Sequence, residues 1–247
     1  MVVLKFGGTS VGSASSIKQV VAIIAKIDTP KIVVLSAVSG TTNALVEIIK
    51  LVNNKEKTSA LESVHQLHNS YLNLITKLYN TPKYKERAHG FVSTKFNGIK
   101  TLIERGEQNN VDAIIIAQGE ILSTNLVQLY LEESQIQSSL ISALDFMEID
   151  ENNEPKIEVI TKKLSPLLET NQNLWITQGF ICKNERGEIS NLQRGGSDYT
   201  ASLIGAAINA KEIQIWTDID GMHNNDPRFV ENTFSLEEIS FDEAAAS

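Results

Sequence analysis

Apolar positions along this chain switch between two spacings, one of strands and one of helices. Residues 2–6 are apolar apart from Lys5, the pattern of a short buried strand, and Gly7-Gly8-Thr9-Ser10 breaks it. From Ser13 onward Ile17, Val20, Val21, Ile24 and Ile27 recur at helical spacing until Thr29-Pro30 stops them. Residues 31–36 read as a second buried strand, rich in β-branched side chains. Ser39-Gly40-Thr41-Thr42 then leads into a helix carrying Leu45, Val46, Ile48, Ile49 and Val52. Strand, loop and helix, repeated in that order, predict a parallel sheet with helices on its faces.

Residues 57–79 set Leu61, Val64, Leu67, Tyr71, Leu72, Ile75 and Leu78 on one helical stripe, and residues 83–107 continue as a second helix. The pair reads as an α-helical insertion between sheet elements. Strand patterns return at 111–117, 137–141, 174–177 and 212–217, and helical ones fill 121–132, 161–169 and 199–209. Asn184-Glu185-Arg186-Gly187 is a turn candidate for a hairpin between 180–182 and 188–192. No linker, repeat or low-complexity tract stands out, so the expectation is one domain with room for two lobes on a shared sheet. Asp242 and Glu243 then open a run into Ala244-Ala245-Ala246 with no stop signal, either a frayed tail or a helix cut short.

Composition narrows the chemistry. The 247 residues are 42% hydrophobic, enough for a sizeable core, and carry a formal charge of −8. A negative field and the lack of any basic block argue against nucleic-acid binding. An anionic ligand would need a local cluster of donors working against that field. Cys182 is the only cysteine, which rules out a disulfide within the chain and a Cys-rich metal site. No stretch resembles a signal peptide or a membrane span, so the cytoplasm is the default expectation.

Three polar segments interrupt the pattern where strands hand over to helices. In Lys5-Phe6-Gly7-Gly8-Thr9-Ser10, glycines let backbone N–H groups approach phosphate oxygens, and Lys5 can neutralise a transferring phosphoryl group. The spacing fits neither the Walker loop nor the dinucleotide fingerprint, and a plain strand-to-helix turn is the alternative. Leu192-Gln193-Arg194-Gly195-Gly196-Ser197-Asp198-Tyr199-Thr200 precedes an Ala-rich helix. Arg194 there suits a bidentate grip on a carboxylate, and Asp198 is either functional or an N-cap. Trp216-Thr217-Asp218-Ile219-Asp220-Gly221, running on to Asp226-Pro227-Arg228, follows a strand, where open α/β sheets place ligands.

KFGGTSV, LSAVSGTTN, QGEILS, TQGFI, RGGSDYTA and WTDIDG with DPR follow one another in an order and spacing that resembles the aspartate kinases, from Met1 to the end of the chain. RGGSDYTA separates that family from others in the amino-acid kinase superfamily that share a Lys-Gly-Gly opening. The resemblance implies a three-layer αβα sandwich with a mostly parallel central sheet, and transfer of the ATP γ-phosphoryl group to the side-chain carboxylate of L-aspartate. It implies an N-terminal lobe for aspartate and a C-terminal lobe for ATP. By the same resemblance Lys5 stabilises the phosphoryl group and Asp198 holds Lys5, while Gly7, Gly8, Thr9 and Ser10 cradle the nucleotide phosphates. Ser36 and Thr42 lie near the aspartate and phosphate, Glu120 pairs with the substrate ammonium, Arg194 grips its α-carboxylate, and Phe180 lines the pocket. Thr217, Asp218 and Arg228 contact ATP, which brings Mg²⁺; no protein metal site is implied.

Two departures accompany the resemblance. His223 stands where the family often has Tyr, and the chain ends before an expected Phe-Gly-x-Lys segment and regulatory domains through which members associate. The implied picture is a catalytic domain over residues 1–247 cut short at its C-terminal end, weakly active or inactive in isolation, from a kinase alone or one fused to homoserine dehydrogenase. Another amino-acid kinase, for glutamate or acetylglutamate, is the competing enzyme reading, and an aspartate-binding remnant without turnover is the non-enzyme reading. His65 and His68 read as surface or packing residues, Cys182 as a small buried hydrophobe, and Trp175 and Trp216 as core. Glu132-Glu133 and Asp150-Glu151 read as solvated charges.

Overall fold

The computed structural model describes residues 1–106, 110–193 and 196–217. Met1–Trp216 forms one compact unit; of a second unit, Thr217–Ser247, only Thr217 is described. The strands are β1 (Val2–Phe6), β2 (Lys31–Leu35), β3 (Ser139–Leu140), β4 (Leu174–Gln178), β5 (Ile181–Lys183), β6 (Ile189–Asn191) and β7 (Glu212–Trp216). Five of them build a sheet in the order β3-β4-β2-β1-β7, with every neighbouring pair parallel. β5 and β6 form a separate antiparallel hairpin around Asn184–Gly187, where Gly187 N–H donates to the Asn184 carbonyl at 2.9 Å. The expected hairpin is present.

Strand alternation sends successive side chains to opposite faces of the sheet. Leu4, Phe6, Val33, Leu35 and Ile176 pack on one side against α1 (Ala14–Ala25), α2 (Thr41–Asn53), α3 (Lys57–Leu78), α4 (Pro82–Arg105) and α5 (Val111–Glu133). Val3, Ile32, Val34 and Trp175 pack on the other against α6 (Ala143–Phe146), α7 (Ile157–Leu168) and α8 (Gly196–Ala207). The result is the three-layer αβα sandwich with a parallel sheet. Ser13 starts α1 by accepting the Ser16 N–H with its side chain, as an N-cap serine does.

The strand expected at 111–117 is absent: those residues are the first two turns of α5. The run Ala113-Ile114-Ile115-Ile116-Ala117 is β-branched and apolar, and such a run reads alike as a buried strand or a buried helix. Tertiary packing decided it. α5 lies between the sheet and the α2–α4 layer, so its apolar residues recur on all sides rather than on one stripe. By length and composition alone α5 could cross a membrane, but Ile115, Leu122, Leu126 and Val127 are fully buried in this fold. The strand expected over 137–141 shrinks to Ser139–Leu140.

Three smaller expectations also change. Trp175 is core, whereas Trp216 is half-buried at the sheet edge and stacks on Phe6 at 5.6 Å. Glu133 is more than a solvated charge, because its carboxylate accepts the Asn80 and Thr81 N–H groups where α4 begins. Asp150 likewise accepts from the Asn152 and Glu154 N–H groups and shapes its own turn. His68 stacks on Phe96, a packing role as expected.

Candidate active site

Lys5 owes its position to strand alternation. It shares a face of β1 with Val3, on the side where α8 packs, and Asp198 lies in the first turn of that helix. The Lys5 Nζ–Asp198 Oδ1 distance is 2.7 Å, with the lysine side chain nearly buried and the aspartate half-exposed. Gly7 lies beside this ammonium, where a Cβ would be at ordinary contact distance, 3.4 Å, from Lys5 Nζ. Gly8 allows the turn after β1 to press against the turn after β2: a Cβ would fall 3.1 Å from the Ala37 carbonyl, and the Ser39 N–H donates to the Gly8 carbonyl at 3.1 Å.

The two turns and the start of α8 enclose a cleft of about 400 Å³ at the C-terminal end of the sheet. Of the residues singled out from sequence, Gly8, Thr9, Ser36, Thr42, Glu120 and Phe180 line it. Gly196 and Ser197 complete it on the α8 side, so the glycine turn after β1 and the first residues of α8 face one cavity. Lys5, Gly7, Ser10 and Asp198 are not among its lining residues, and Thr217 directly follows the last residue of β7. Arg194, Asp218, Arg228 and His223 lie outside the described residues.

Glu120 is the unusual group of the cleft. It projects from the middle of α5, is 5% exposed, and accepts the Ala37 N–H at 3.3 Å. Burial pushes its carboxyl up to about 7, because the ionised form loses hydration that the backbone N–H groups of Glu120 itself and Ala37 do not replace. An ammonium entering the cleft would supply the missing charge partner. Gly119 lets α5 come this close, since a Cβ there would sit 2.9 Å from that of Ala37.

Several residues of the site were passed over in sequence. Ser197 Oγ accepts a hydrogen bond from Ser36 Oγ at 2.9 Å, bridging the β2 turn to α8. Ser123 Oγ donates to the Ser36 carbonyl at 2.6 Å. Tyr71, read only as part of an apolar stripe, exchanges a buried hydrogen bond of 2.9 Å with Thr41 at the start of α2. Ser197 stood inside the RGGSDYTA motif and Thr41 inside LSAVSGTTN, so the motifs held the signal without the partners. Cys182 is buried with its thiol pushed up to about 12 by burial, as an inert core residue is.

The amino acid kinase family model matches residues 1–247. The chain is 31% identical to lysine-sensitive aspartokinase 3 of Escherichia coli, over 99% of its own length and 55% of that protein. To the bifunctional aspartokinase/homoserine dehydrogenase of Buchnera aphidicola it is 33% identical, over 99% of itself and 31% of that protein. The crystal structure of E. coli aspartokinase III in complex with aspartate and ADP superimposes with a TM-score of 0.86 at 30% identity, covering 100% of this chain and 55% of that one. The chain spans at most about half the length of the proteins it matches here.

Proposed function

The chain belongs to the amino acid kinase family, and from that premise we propose that it is the catalytic domain of an aspartokinase, which phosphorylates the side-chain carboxylate of L-aspartate with ATP. The observation that carries this reading is a cleft at the end of the sheet lined by a buried acid, Glu120, and by the first residues of α8, the helix whose Asp198 holds Lys5. Aspartate brings one ammonium and two carboxylates. Glu120 suits the ammonium, and Arg194 suits the α-carboxylate through a planar two-point contact. An acetylated amine has no charge to offer Glu120, which disfavours an acetylglutamate kinase.

The chemistry follows from charge. The acceptor carboxylate is ionised at neutral pH, so no general base is required. One of its oxygens attacks the γ-phosphorus, the bond from that phosphorus to the β–γ bridging oxygen breaks, and ADP leaves with the electron pair. The acyl phosphate 4-phospho-L-aspartate forms, at the head of lysine, threonine and methionine synthesis. Two anions must meet, so positioning and neutralisation supply the rate. Lys5 places a cation beside the phosphoryl group in flight, and Asp198 fixes where that cation points. Gly7, Gly8, Thr9 and Ser10 offer N–H and hydroxyl donors to the phosphates.

MgATP is the substrate form. Among the described residues no three His, Cys, Asp or Glu side chains gather to hold a metal. Mg²⁺ arrives with the ATP, and it commonly takes its ligands from phosphate oxygens and water. Thr217, Asp218 and Arg228 would serve the nucleotide, in a cytoplasmic enzyme whose self-association runs through further domains.

An ATP-dependent acyl-hydroxamate assay tests the proposal, run with aspartate and with glutamate, on this chain and on a version extended past Ser247. Aspartate-specific product from the longer version is the expected result. Product with glutamate but not aspartate, or none from either protein, would overturn it.

A further inference from the structure

Two residues that line the cleft have left-handed backbones, Phe180 at φ 65° and Gly196 at φ 47°. Glycine adopts that conformation freely, but a bulky aromatic residue does so only when its surroundings hold it there. Both residues are tied to the same side chain. Thr200 Oγ1, fully buried in α8, donates to the Gly196 carbonyl at 3.2 Å and accepts the Phe180 N–H at 2.8 Å. The first bond is ordinary for a helical threonine, and the second is not. The Phe180 carbonyl accepts the Leu192 N–H at 2.7 Å, so both backbone polar groups of the strained residue are engaged.

The preceding residue closes off the alternatives. Gly179 N–H donates to the Leu35 carbonyl at 2.9 Å, and any Cβ at Gly179 would collide with Ser197, its Cα included. The end of β4 is thus pressed against the first turn of α8. The Phe180 ring reaches over that turn, with Cδ2 3.9 Å from where a Gly196 Cβ would be.

We propose that Thr200 is a positioning residue for acceptor choice: its hydroxyl holds Phe180 in the left-handed conformation that makes the ring a fixed wall of the amino-acid pocket. This rests on the reading of the cleft as the aspartate site. Without the hydroxyl, the partly buried Phe180 N–H loses its partner, and the backbone gains by relaxing toward the extended region. The ring then leaves Gly196, and the pocket loses the close fit that favours a four-carbon over a five-carbon dicarboxylic amino acid.

Calorimetry on the whole chain, with aspartate, glutamate and MgADP as separate probes, tests this. Thr200→Val keeps the shape and removes the hydroxyl; Thr200→Ser keeps the hydroxyl. In the valine variant the aspartate Kd should rise on the order of tenfold, the preference for aspartate over glutamate should shrink, and MgADP affinity should stay unchanged. The serine variant should restore both aspartate affinity and the preference. Wild-type behaviour of Thr200→Val, equal weakening toward aspartate and MgADP, or a serine variant resembling valine would overturn the inference. A wild-type chain that binds MgADP but no aspartate would instead overturn the functional reading, and this inference with it.

Discussion

The α3–α4 pair and the cleft hold their residues by opposite means. In the pair, Val64, Tyr71, Ile75, Val92, Phe96 and Ile99 are buried at regular helical intervals, and the charged positions face water. Around the cleft the deciding residues are polar, sit at no fixed interval, and come from β1, two turns, α5 and α8. Periodic burial stabilises a helix layer wherever its helices lie, so it says little about chemistry. A cleft lined by Glu120, Ser36, Ser197 and Thr42 carries desolvation cost that only specific partners offset. The first region serves stability, the second is tuned at stability's expense.

Mutations can break that division, and the largest effect falls in the helix pair. Phe96→Ala removes a fully buried ring that stacks on His68 and tilts against Tyr71. It should cost about 3 to 5 kcal/mol in urea denaturation, while the surviving folded protein keeps its aspartate Kd. A large loss of affinity in the folded fraction would erase the distinction. Lys5→Ala should do the reverse. Turnover of the extended enzyme should fall about a thousandfold, on the order of 4 kcal/mol, and aspartate Kd should move little. An unchanged rate would remove Lys5 from the mechanism.

The pH response comes next in size. The Glu120 carboxyl is held at about 7 in the fold against an ordinary value of 4.5. The protonated acid is therefore favoured in the free protein, so the contribution to stability is full below pH 4.5 and is lost as pH rises through 7. An ammonium ligand needs the ionised form, so aspartate affinity should run the other way. It should fall below pH 7, approaching tenfold per unit, about 1.4 kcal/mol. Calorimetric titrations from pH 8 to pH 5 check this, and Glu120→Gln should bind weakly with a flat profile. A flat wild-type profile would count against the ammonium partner.

The smallest effect sharpens the border between the regions. Tyr71 belongs to the stripe of α3 by its ring, and its hydroxyl meets Thr41, one residue before the cleft-lining Thr42. Tyr71→Phe should cost only about 1 kcal/mol in stability and raise the aspartate Kd a few-fold. No change in affinity would assign Tyr71 wholly to the helix layer.

How much of this could be read from the chain differs between the same two regions. The stripes of α1 to α4, the parallel sheet and the hairpin followed from spacing, because a single buried face leaves a periodic trace. α5 defeated that logic at 111–117, since a helix buried on all sides leaves none. Motif residues marked the turns and the start of α8, among them Glu120, which lines the cleft, and the contacting pair Lys5 and Asp198. Other pairings were not legible: nothing in the order of residues ties Ser36 to Ser197 or Thr200 to Phe180. Those contacts depend on how closely two backbones approach, which Gly8, Gly119 and Gly179 permit but do not announce.

Parallel pairing of β1 with both β2 and β7 sets a timetable for biosynthesis. Asp198 leaves the ribosome nearly two hundred residues after Lys5. At about 5 to 20 residues per second, the lysine waits roughly ten to forty seconds for its counter-ion, and β1 keeps one bare edge even longer. Until β7 is made, the nascent chain therefore presents one open edge of a strongly apolar strand, Val2–Phe6, to whatever shields growing chains. Lys5 sits in that strand and meets Asp198 only once the start of α8 has been made.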